Sequence, residues 1–185
     1  MPVTFYAGDP SAGRLSYNSC SLGVVPEGLV VARAGIEVLA DIRSRGDDEV
    51  IHLRYDVGHG HRVRLASREI AVDARDGSRP RIGVINAIDL SDRADPFGWK
   101  DSPARRAGLR LPHLLMDDSQ PPPLPTGRRP FLPIRHYWVA SMISNRPSSP
   151  LWLQLPDLTV DEVLVVFPPI RFDRQTRMVL APVNC

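Results

Sequence analysis

From Leu29 to Ile88, and again from Ile134 onward, apolar residues recur at every second position in short segments. In segment 36–42, Ile36, Val38, Ala40 and Ile42 alternate with Glu37, Leu39 and Asp41. In segment 50–56, Ile51, Leu53 and Tyr55 share one side and His52 and Arg54 the other. Segment 134–143 is the longest run, with Ile134, His136, Trp138, Ala140 and Met142 on one side and Arg135, Tyr137, Val139, Ser141 and Ile143 on the other. A period of two places alternate side chains on one face of an extended chain. Gly, Pro, Asp and Asn punctuate the runs at about ten-residue spacing, which is the pattern of packed antiparallel sheets. Further strands are predicted at 29–32, 61–65, 69–73, 81–88, 151–155, 163–167, 170–173 and 178–183. Residues 160–163 read either as a turn between two strands or as part of a short helix over 159–166. Residues 174–176 read as a turn, and 1–28 as an irregular lead-in with a short edge strand at 4–6.

The alternation stops near Leu90. Segment 91–130 holds eight prolines, among them Pro121, Pro122 and Pro123. One or two helical turns are expected at 103–115, with Ser102 as cap and Pro103 at the first helical position. A connection beyond about 15 residues is usually functional or disordered, so this insert is the first place to look for a binding surface. Its prolines stiffen it, which lowers the entropy lost on docking.

Composition narrows the picture. The chain has 185 residues, 43% hydrophobic and 24% charged, as expected of a globular protein with one domain over 1–185. Its 19 prolines oppose long helices. The net charge is +2, and Lys100 is the single lysine among 23 basic residues. Acidic residues interleave with the arginines, so no cationic stripe for nucleic acid is expected. No apolar run reaches the ~20 residues needed to span a membrane, and residues 1–13 carry no export signal. The two cysteines, Cys20 and Cys185, are expected to pair, which would pin the end of the chain. Such a bond favours a periplasmic or extracellular setting, and free thiols a cytoplasmic one.

Three constellations carry chemistry. Asp56, His59 and His61 lie within six residues. Histidines two apart on a strand share a face, so this set can ligate zinc. Arg135, Tyr137 and Trp138 combine the residue types of binding hot spots, and Trp99 adds a fourth candidate within the insert. His113 and His136 can serve as general bases, yet Ser141 lacks the glycine-flanked elbow of a nucleophilic serine. Phosphate-loop and dinucleotide fingerprints are absent, so no cofactor is expected.

The ladder at 29–88 and in the C-terminal third resembles immunoglobulin-like sandwich modules, with a jelly roll as the other sandwich form. The resemblance is one of pattern, and no site residue is carried over from it. It implies an all-β antiparallel β-sandwich with one long Pro-rich insert at 91–130. The function this implies is non-catalytic recognition or structural support, binding a protein or glycan through the insert and adjacent loops. A bacterial exported or immunity-type protein fits that description. The alternative is a metal-dependent β-barrel enzyme using Asp56, His59 and His61.

Overall fold

The computed structural model describes residues 2–17, 25–58, 60–86, 88–91, 110–111, 115–117, 134–145 and 147–178. Among them there is no helix, and the strands form three antiparallel sheets. The strands are β1 (Pro2–Gly8), β2 (Arg14–Tyr17), β3 (Pro26–Arg33), β4 (Ile36–Arg45), β5 (Asp48–Gly58), β6 (Arg62–Leu65), β7 (Glu69–Asp73) and β8 (Arg81–Val84). They continue as β9 (Ile88–Ser91), β10 (Arg110–Leu111), β11 (Leu115–Asp117), β12 (Ile134–Ile143), β13 (Leu151–Gln154), β14 (Leu158–Val160), β15 (Val163–Val165) and β16 (Ile170–Met178). The large sheet has the order β10-β9-β12-β5-β4-β3-β2, the second β1-β16-β13-β7-β8, and the small one β11-β6-β14-β15. The fold is therefore all-β and sandwich-like, as the period-two pattern predicts.

The inner faces follow directly from that alternation. On β4, Ile36, Val38, Ala40 and Ile42 point inward; on β5, Ile51, Leu53, Tyr55 and Val57 do the same. They join Tyr137, Val139 and Ile143 of β12 in one core with Ile70, Val72, Leu151, Leu153, Ile170 and Phe172 of the second sheet. Tyr55 and Tyr137 are direct cross-strand neighbours at its centre. The small sheet adds Val63, Leu65, Leu158 and Val160. Two glycines let the sheets approach. A Cβ on Gly8 of β1 would sit 2.7 Å from Leu29 Cβ of β3. A Cβ on Gly83 of β8 would collide with Ser141 and Ile143 of β12. Side chains cannot occupy these crossings, because interiors are packed to crystal density.

Three expectations are corrected. The described part of the lead-in is not irregular: β1 pairs along its whole length with β16, Pro2 opposite Met178 and Gly8 opposite Phe172, and β2 lies beside β3. Residues 174–176 are not a turn. Arg174, Gln175 and Thr176 continue β16 because Tyr6, Phe5 and Thr4 pair with them. Residues 160–163 are the turn between two strands, the first of the two readings, with Val160 opposite Val163. Of the helix expected at 103–115, Arg110–Leu111 and Leu115 are strand. The rest of it, and residues 179–183, lie outside the described residues.

Candidate functional site

The outer face of the large sheet carries the polar half of the alternation. On β5 these positions are Val50, His52, Arg54 and Asp56; on β12 they are His136, Trp138, Ala140 and Met142. Register places His136 opposite Asp56 and Trp138 opposite Arg54. The result is a block two residues wide on each of two central strands, with side chains close enough to interact directly.

The block is closed by hydrogen bonds. Arg54 Nε donates to Asp56 Oδ1 and Arg54 Nη2 to Asp56 Oδ2, both at 2.8 Å. His136 Nδ1 lies 2.6 Å from the same Asp56 Oδ1. A carboxylate clamped by a guanidinium fork only accepts, so Nδ1 is the protonated nitrogen. The Arg54 guanidinium carbon stands 5.6 Å from the Trp138 ring centroid, within the range of a cation–π contact. Burial raises the stakes of every bond: Trp138 is 8% and His136 7% exposed. Buried charges of this kind need their partners.

Neighbouring rows continue the pattern. Glu37 of β4 is opposite Asp56, and Arg14 Nη2 approaches Glu37 at 3.8 Å. His52 is opposite Asp41, which accepts from Arg43 Nε. Burial, and secondarily the Arg43 guanidinium, hold the His52 imidazole down to about 4. Inside the core, Glu49 accepts from Tyr6 Oη at 3.0 Å and Ser44 Oγ at 3.1 Å. Burial pushes the Tyr55 phenol well above its usual range, and its oxygen has no hydrogen-bond partner among the described residues.

The sequence candidates fall in different places. Tyr137 is in the core, on the opposite face from Trp138. The backbone of Arg135 is opposite Val57 in β12, while its side chain lies outside the description. Trp99, His59, His113, Cys20 and Cys185 lie outside the described residues. Asp56 directs its carboxylate to Arg54 and His136, whereas His61 Nδ1 meets Asp161 Oδ2 at 2.8 Å, in the β14–β15 hairpin. The Asp161 carboxyl is held below its usual range by the Arg62 amide and by His61. Among the described residues no three His, Cys, Asp or Glu side chains stand together as a metal-ligand group. Ser141 Oγ donates to Val84 O at 3.2 Å, tying β12 to β8.

The Arg54–Asp56–His136 set was hidden in the sequence because Asp56 and His136 are 80 positions apart. Only Arg54 and Asp56, two apart on one strand face, left a local signal. The block stands where segment 92–133 is rooted: β9 ends at Ser91, opposite His136, and β12 begins at Ile134. Within that segment β10 pairs with β9 and β11 with β6, so it touches down on two sheets.

Fold and site define an all-β, antiparallel, sandwich-like protein with a buried polar–aromatic block at the base of a long segment. No helix among the described residues is long and apolar enough to cross a membrane. Comparison with protein-family models, curated proteins and solved structures finds no match to this chain.

Proposed function

We propose that the protein is a recognition module, an immunoglobulin-like or jelly-roll-like sandwich that binds a protein or a glycan through the Pro-rich insert at 91–130 and the loops beside it. The observation that carries this reading is how the segment is rooted. It departs from β9 and returns into β12, which are hydrogen-bonded neighbours. Its strands β10 and β11 attach to two different sheets. Binding residues are characteristically presented on loops that a rigid scaffold positions. The Arg54–Asp56–His136 block turns its bonds inward on itself, which suits a stiff platform. Export, a bacterial source and a Cys20–Cys185 bond belong to the same proposal.

The test is a screen of the protein against a glycan array and a displayed peptide library. A variant with 118–133 replaced by a Gly-Ser linker of equal length is screened alongside. A specific ligand captured by the wild type and lost in the variant, with far-UV circular dichroism unchanged, supports the reading. Equal capture by both proteins, or no capture in either screen, overturns it. Stoichiometric zinc in the purified protein, lost on His61→Ala, would favour the metal-enzyme reading instead.

A further inference from the structure

Three adjacent strands of the large sheet bring three residues into one row. Register sets Asp56 of β5 opposite His136 of β12, and His136 opposite Ser91, the last residue of β9. Residues directly opposed across antiparallel strands share a face. The row therefore reads Ser91, His136, Asp56, with the serine and the carboxylate on opposite flanks of the histidine. No local motif announces the set, because each member comes from a different strand.

The imidazole is already oriented. Its Nδ1 donates to Asp56 Oδ1 at 2.6 Å, and Arg54 Nε and Nη2 fix both oxygens of that carboxylate at 2.8 Å. In the neutral ring a proton on Nδ1 leaves the lone pair on Nε2. Nε2 lies on the ring edge away from Asp56 and has no hydrogen-bond partner among the described residues. His136 is buried, and hydrogen bonds in such surroundings are stronger than in water. The other histidine–carboxylate pair, His61 with Asp161, is exposed at a hairpin. Ser141, on the opposite face of β12, is engaged with Val84 O.

We propose that Ser91 is a nucleophile, His136 its general base and Asp56 the positioning carboxylate, and that the protein hydrolyses a carboxylic ester. Such triads are defined by geometry and roles and arise on unrelated folds. His136 Nε2 takes the Ser91 hydroxyl proton as the oxygen attacks the ester carbonyl carbon. The tetrahedral adduct expels the alcohol, which leaves with that proton. Water, deprotonated by the same nitrogen, then cleaves the acyl-serine, and the proton returns to Ser91 as the acid departs. Trp138, two residues along β12 on the same face, stands beside the row and suits an apolar acyl group. This activity goes beyond the recognition reading and is independent of what the insert captures.

The probe is a fluorophosphonate, which modifies activated serines, incubated in excess with the full chain. The adduct is located by peptide mass spectrometry. The wild type should carry one adduct, at Ser91, formed faster as pH rises along a single-proton curve, because attack needs the neutral imidazole. Hydrolysis of p-nitrophenyl butyrate should follow the same profile. Ser91→Ala should abolish both reactions with far-UV circular dichroism unchanged. His136→Gln should slow both about a hundredfold, and Asp56→Asn should lower kcat with KM unchanged. No adduct at Ser91 overturns the proposal. So does a flat pH profile, or a folded His136→Gln protein that reacts at the wild-type rate. Adduct and profile are read on the wild type, so the test stays decisive if a variant fails to fold.

Discussion

Asp56 is the residue on which the outer face of the large sheet turns. It accepts from Arg54 twice and from His136 once, in a place where water is largely excluded. Asp56→Asn keeps the shape and removes the charge, leaving Arg54 buried without a counter-ion. The expected loss is about 3 kcal/mol in urea unfolding. Replacing Arg54 by Gln in the same chain should recover part of it, because the two positions are coupled; additive losses would contradict the geometry. His52 makes a pH prediction. Its native pKa, about 4, lies below the ordinary value of 6.5. The unfolded chain therefore binds the extra proton between those values. Stability from this group is full above pH 6.5 and is lost as the pH falls toward 4, by up to about 3 kcal/mol. His52→Leu should shrink the stability difference between pH 7 and pH 4.5, and an unchanged difference would refute the assignment. Of these partners only Arg54, two positions from Asp56 on the same strand face, was legible in the sequence. Alternation gave the face of each side chain, but not which distant strand would bring His136 alongside, nor the register that sets Asp41 opposite His52 in the β4–β5 hairpin.

Strands were legible wherever apolar side chains fill one face and polar ones alternate onto the other. β5 and β12 follow the predicted faces residue by residue, and β12 has the predicted limits of Ile134 and Ile143. β2 was not foreseen, because its four residues range only from exposed to half-buried and show no clean alternation. The end of β16 was missed for a different reason. Arg174, Gln175 and Thr176 are held in the strand by pairing with β1, a partner nearly the whole chain away. At the β14–β15 hairpin the turn was one of two readings of the sequence, and the helix stayed open beside it because Asp161 and Glu162 hold positive φ without an Asn-Gly or Asp-Gly signal. Glu162→Gly should relieve this conformation and stabilise the protein by about 1 kcal/mol, read as a higher midpoint in urea. A lower midpoint would mean that the Glu162 side chain contributes more than its backbone costs.

At the scale of the molecule, the sandwich depends on close crossings as much as on apolar faces. Gly83→Ala would push Ser141 from its bond to Val84 and press on Ile143. A loss of about 2 kcal/mol in chemical unfolding is expected, whereas Gly46→Ala, with open space around it, should cost only its backbone strain. The layered all-β plan was legible from alternation, since burying one face of each strand fixes it. The division into three sheets was not, because it rests on β6 pairing with β14, far along the chain, and with neither of its sequence neighbours β5 and β7. The most direct measurement of the plan is residue-resolved amide hydrogen exchange on the intact chain. Slowest exchange in β5 and β12, the paired centre of the large sheet, with fast exchange at the open side of β15 and in β2, is the predicted result. Rapid exchange throughout β5 and β12, or protection in a helical i to i+4 pattern, would contradict the account.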